Sequence, residues 1–91
     1  MQKCVDCVIS GKNLDYKDLV VIKKEADNFN LHGVTFFKDD GSVKIVAEGE
    51  EKILEKFLEN IKEDANVFAF VENFSVKWSN LKNEFDNFSI S

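Results

Sequence analysis

The sequence predicts an α+β sandwich in which an antiparallel sheet carries two helices on one face. Three observations predict it. Apolar residues alternate in steps of two through residues 3–10 and again through Phe74, Val76 and Trp78, the period of a strand. In two other stretches they recur at three and four residues, the period of a helix buried along one stripe. The stretches follow one another as β-α-β-β-α-β-β, a split βαβ order that brings both helices to the same side of the sheet. The 91 residues suffice for one modest core and are too few for two, so residues 1–91 read as one domain.

The first strand, "KCVDCVIS", sets Val5, Cys7 and Ile9 on one face and Cys4, Asp6 and Val8 on the other. The period changes at Asp18: Leu19, Ile22, Ala26 and Phe29 form the stripe of the first helix, and Asp15 or Asp18 can cap its start. "NLHG" ends this helix and "GVTFF" opens the second strand. An Asp-Gly pair in "KDDGSV" joins it to "VKIVAEG", a strong local signal for a hairpin. Leu54, Phe57, Leu58 and Ile61 line the second helix, whose first turn holds Glu50 and Glu51 where the helix dipole favours them. A strand is expected over Val67 to Trp78, and "FDNFSI" supplies a short final strand at an edge.

Composition narrows the function. An apolar fraction of 44% and a charged fraction of 32% describe a globular protein, and nine phenylalanines supply much of its core volume. The net charge of -5 disfavours nucleic-acid backbone as a partner, because phosphate chains require a basic stripe. Stacking of bases on Phe68, Phe70 and Phe74 is the remaining route to such a partner. No window reads as a leader or a membrane span, and a cytoplasmic protein without a membrane partner is expected. Cys4 and Cys7 form a C-x-x-C on a strand, where positions three apart face opposite ways. His32 is the one histidine, so neither a redox pair nor a metal site is expected, and no cofactor is implied.

Several motifs together resemble the acylphosphatases, small ferredoxin-like enzymes that hydrolyse carboxyl-phosphate mixed anhydrides without metal or cofactor. The resemblance runs unbroken from about Val8 to Ala47 and more loosely to Ile90. "GVTFFKDDGSVKIVAEG", Gly33 to Gly49, resembles the family's G-W-V-x-N-x-x-D-G-S-V-x-V-x-A-x-G. Ile22 and Ala26 fall on the family's first helix, Phe57 and Leu58 on its second, and Trp78, Phe85, Phe88 and Ile90 on its late positions. The resemblance implies the ferredoxin-like fold and a binding loop at Gly11, Lys12, Asn13, Leu14, Asp15, Tyr16, Lys17, Asp18 and Leu19, completed by Phe37.

Within that loop the resemblance also implies losses. The family's phosphoryl-gripping arginine falls on Leu19, its water-holding asparagine on Phe37, and a loop glycine on Asp15. All twelve fixed cations are lysines. Leucine offers no donor to a phosphoryl oxygen and phenylalanine cannot hold a water. Asp15 and Asp18 bring negative charge to a helix start where an anion would otherwise sit. The expectation is therefore a non-catalytic member, a pseudoenzyme with a binding or regulatory role and an unknown protein or peptide partner. Leu19 and Phe37 then either form an apolar patch or fill the emptied cleft. The alternative is an acylphosphatase acting on a small phosphorylated substrate through a rearranged site, with Lys12, Lys17 and Lys38 as nearby cations and Asn13 as the loop amide available to water.

Overall fold

A computed structural model describes residues 1–64 and 71–91. The elements are β1 (Gln2–Gly11), α1 (Tyr16–Asn28), β2 (His32–Phe37), β3 (Val43–Glu50), α2 (Glu51–Glu63), β4 (Val71–Asn80) and β5 (Phe88–Ile90). The sheet order is β4-β1-β3-β2-β5. All neighbours are antiparallel except β5, which runs parallel to β2. The small α+β domain expected from the sequence is thus present, with a mixed rather than purely antiparallel sheet. Residues 67–70 of the expected fourth strand lie outside the described residues, as do Phe68 and Phe70.

One face of the sheet carries the core. Val5, Cys7 and Ile9 of β1 stand opposite Ala47, Ile45 and Val43 of β3, and these six are buried with Leu19, Ile22 and Ala26 of α1 and Leu54, Phe57, Leu58 and Ile61 of α2. The helical stripes therefore meet the period-two face of the strands, which puts both helices on that side. Phe74, Val76 and Trp78 continue the same rows on β4, but β4 is the sheet edge and Trp78 is left exposed. Phe74 packs against the core, and Lys62 Nζ sits 4.6 Å from its ring centroid.

The turns follow from their residues. Helix α1 ends in a Schellman motif: Leu31 N–H donates to the Ala26 carbonyl and Asn30 N–H to that of Asp27, with Asn30 left-handed at φ 55°. Between β2 and β3, Gly41 takes φ 87° and donates to the Lys38 carbonyl, closing the Asp-Gly turn. At Gly33, φ is 154° and an added Cβ would lie 1.9 Å from the Val46 carbonyl oxygen of the adjoining strand. Gly33→Ala is accordingly expected to destabilise the fold by about 1–3 kcal/mol, the usual cost of forcing atoms into a filled interior. A thermal melt followed by circular dichroism measures it.

Cys4 and Cys7 are both free and buried on opposite faces of β1. Burial pushes the Cys7 thiol up to about 12, with Asp6 adding to the effect, so the thiolate needed for redox chemistry is suppressed. Among the described residues no group of three or more His, Cys, Asp or Glu could hold a metal. No helix among them is long and apolar enough to cross a membrane.

Candidate active site

β1 and β2 both pair with β3, and Ile9 and Phe37 are each opposite Val43. The two strands therefore run parallel and stop at the same end of the sheet, where α1 begins. Between Ser10 and Gly11 the pairing of β1 with β4 shifts register, and the chain leaves the sheet through Lys12, Asn13, Leu14 and Asp15. Asn13 is left-handed at φ 61°, a conformation its short amide side chain tolerates. Lys12, Asn13, Asp15, Tyr16 and Lys17 are exposed, while Leu14 packs against the core.

The entry to α1 is a capping box. Asp15 is extended, its Oδ1 accepts from Lys17 N–H at 3.0 Å, and its own N–H donates to Asp18 Oδ2 at 2.9 Å. Both aspartates singled out in the sequence thus cap the helix together, and the amides of Lys17 in its first turn and of the cap residue Asp15 are already engaged by carboxylates. Asp18 is buried, and desolvation raises its pKa above the ordinary carboxylate value. The Asp15 backbone bond and Lys17 oppose that rise, and the Asp15 and Asp64 charges add to it.

The sign of the consequence follows from linkage. A carboxyl raised in the folded state binds more protons folded than unfolded, so its contribution to stability is greatest below the unfolded value and falls as pH rises through the folded one. Asp18→Asn keeps an acceptor for Asp15 N–H and removes the titration. Its stability relative to the parent is expected to improve between pH 4 and pH 7. Paired thermal melts at the two pH values check this, and a variant that loses ground to the parent as pH rises would contradict it.

The remaining expected site residues separate. Leu19 is only 3% exposed and belongs to the core, so its side chain fills space under the loop. Phe37 is 38% exposed at the end of β2. It stands two strand spacings, about 10 Å, from Ile9 on the helix-bearing face. Leu19 and Phe37 therefore do not make a shared surface patch. Lys17 Nζ lies 3.9 Å from Asp15 Oδ2 with both side chains exposed, a weak pair. No ion pair among the described residues involves Lys12. The arrangement offers an exposed ammonium at Lys12 on the turn, while the amides of Asp15, Lys17 and Asp18 at the helix start are already bonded within the cap. The reciprocal bond from Asp15 to Asp18 was announced in the sequence only by their spacing of three. The exposure of Val20, one turn after Tyr16, had no sequence signal, since an apolar residue beside a helical stripe looks like part of it.

Comparison with known proteins fixes the family. The acylphosphatase family model matches residues 5–90. An acylphosphatase of Bacillus subtilis (strain 168) is 38% identical over 86 residues, 94% of this chain and 89% of that one. One from Bacillus licheniformis is 36% identical over 87 residues, 96% of this chain and 91% of its own. The crystal structure of acylphosphatase from Bacillus subtilis superposes with a TM-score of 0.83 at 28% identity, covering 100% of this chain and 99% of that one.

These likenesses overturn the expectation of a non-catalytic pseudoenzyme. It rested on the replacements at Leu19 and Phe37 with Asp15 and Asp18 beside them, whereas the kinship with acylphosphatases extends over nearly the whole chain. The physical weakness of that expectation lies in treating the phosphoryl grip as the property of one side chain. A loop of backbone amides distributes it, and a lysine can supply the charge as a point cation. Carried by the match over residues 5–90 and by relatives that share its length, the conclusion is that the chain belongs to the acylphosphatase family.

Proposed function

We propose that residues 1–91 act as one domain that hydrolyses carboxyl-phosphate mixed anhydrides at the turn between β1 and α1. The observation that carries the reading is the 38% identity to the Bacillus subtilis acylphosphatase across 94% of this chain. At the turn, Lys12 is exposed and takes part in none of the ion pairs of the described residues, so its ammonium is the cation that meets the phosphoryl oxygens. The backbone N–H groups of Lys12, Asn13 and Leu14 complete the seat, and the left-handed Asn13 curves the chain around it.

Water attacks phosphorus, the bond from phosphorus to the bridging oxygen breaks, and its electron pair leaves with the carboxylate. The proton shed by water stays with the phosphate product or passes to solvent. A carboxylate leaving group has a conjugate acid of pKa about 4, so it departs at neutral pH without a proton donor. Catalysis then consists of positioning and charge stabilisation, which amides and one ammonium can provide. The Asn13 side chain is the loop amide available to orient the water. Leu19, enclosed in the core, takes no part.

The test is release of inorganic phosphate from acetyl phosphate and benzoyl phosphate by the purified chain. Release well above buffer hydrolysis is expected. Release at the buffer rate for both compounds would overturn the proposal.

A further inference from the structure

The sheet face opposite the helices is closed at one end. Along β1 it carries Cys4, Asp6 and Val8, and along β3 their neighbours Glu48, Val46 and Lys44. Asp6, Val8, Val46 and Lys44 are half-buried, as suits a sheet surface without helices. Cys4 and Glu48 break this pattern, each only 4% exposed. They are cross-strand partners, and Ser79 beside Cys4 is half-buried where Ser75 and Lys77 of the same strand are exposed. The cover is therefore confined to one row of the sheet.

That cover is the chain joining β4 to β5. The two strands lie at opposite ends of the sheet order, four strand spacings or about 19 Å apart. The eight steps from Asn80 to Phe88 reach at most about 26–29 Å, so residues 81–87 cross β1 and β3 with little slack. Glu84 N–H donates to Glu48 Oε2 at 3.3 Å, which sets the crossing on the helix-free face. Burial raises the Cys4 pKa, and the bond to Ser79 and the charge of Lys82 oppose that rise, so the segment passes close to the thiol.

The cover is thin. Residues 81–84 are exposed and belong to neither helix nor strand, and Asn83 is left-handed at φ 55°. Among the described residues, the bond from Glu84 to Glu48 is the one hydrogen bond that ties residues 81–86 to the sheet, and its length is at the weak end of the range. A segment with so few buried contacts opens at a fraction of the free energy of global unfolding.

We infer that residues 81–87 form a strap that lifts from the helix-free face while the domain stays folded, and that Glu48 is the latch controlling access to Cys4. The closed protein withholds this thiol, and the lifted strap presents it to small disulfides. Cys7, on the same strand but 0% exposed beneath the helices, becomes accessible only on global unfolding. The two thiols thus report the two kinds of opening separately.

The probe is 5,5′-dithiobis(2-nitrobenzoate), added in excess to the whole chain in buffer. The Cys4 thiol loses its proton to solvent, its sulfur attacks one sulfur of the reagent, the S–S bond breaks and thionitrobenzoate leaves with the electron pair. Peptide mass mapping assigns each labelled cysteine. Cys4 is expected to react at least about 100-fold faster than Cys7, with a rate insensitive to low urea, while the Cys7 rate climbs with urea. Glu48→Ala should raise the ratio of the Cys4 to the Cys7 rate about tenfold, and Glu48→Gln, which keeps an acceptor for Glu84 N–H, should stay within about threefold of the parent. Because the readout is a ratio, a general loss of stability in either variant moves both rates and does not imitate the effect. Amide hydrogen exchange on the parent should show Glu84 opening far more often than Val5 and Ile45 of the sheet core. Cys4 and Cys7 reacting together at the unfolding rate, or Cys4 reacting as fast as glutathione, overturns the strap. A ratio unchanged by Glu48→Ala overturns the latch.

Discussion

Lys12→Ala is expected to lower kcat/KM for an acyl phosphate about 100-fold. The magnitude is that of removing one well-placed donor from a developing oxyanion. Lys12 is exposed and takes part in none of the ion pairs of the described residues, so the variant should melt with the parent and the loss should be one of chemistry, not folding. Lys17→Ala is the matched control. Its ammonium already lies beside Asp15 in a solvent-exposed pair, and its removal should change kcat/KM by less than about threefold. Lys12→Arg should retain most of the activity, since the charge is kept. A phosphate-release assay on the three variants decides the matter, and Lys12→Ala acting like the parent would remove Lys12 from the site. Because the charge is exposed, KM should also rise with salt once the Debye length falls below about 10 Å.

The largest expected effect on stability is at Phe57. It is fully buried, and its ring meets that of Phe88 edge-on with centroids 6.4 Å apart. Phe57→Ala removes this contact and leaves a cavity between α2 and β5, at a cost of about 3–5 kcal/mol. Domains of this size are stable by only about 5–15 kcal/mol, so much of the total is lost. Urea unfolding should show a lower midpoint with an unchanged slope, or a chain already unfolded in buffer. Phe57→Leu keeps most of the volume and should cost less than about 1.5 kcal/mol. Equal effects from the two variants would mean that the cavity is not the cause.

Much of this fold is written locally. Helix α1 could be bounded from sequence because its stops are chemical: Asp15 and Asp18 at one end, Asn30 at the other. The burial of Leu19 followed from its place in a stripe with Ile22 and Ala26. The Asp-Gly turn fixed the β2–β3 hairpin. The partner of β5 was not legible, because three residues carry no register of their own and Phe88 is placed by Phe57, 31 positions earlier in the sequence. Trp78 alternates like a core residue yet is exposed, since alternation reports a face and not distance from an edge.

The turn between β1 and α1 was legible as structure, while the function of the chain was misread. The glycine at the strand end located the turn, but two residue types, at Leu19 and Phe37, were given more weight than the rest of the chain. Side-chain identity at a single position cannot count the backbone donors around it, and those have no letter in the sequence.

Strand β5 also sets an order of events during synthesis. The flank of α1 and β2 is closed by the β5 ladder and by bonds beside it: Gly33 N–H to the Asn87 carbonyl, Ser91 N–H to that of Thr35, and Lys23 Nζ to that of Phe88, the last spanning 65 residues. A chain emerging from the ribosome makes α1 and β2 early and holds their outer edge unpaired until residues 87–91 appear. For that interval the β2 edge presents open N–H and C=O groups to any other nascent strand. The β2 edge is thus closed by residues that lie about fifty positions further along the chain, so its protection depends on a long-range contact.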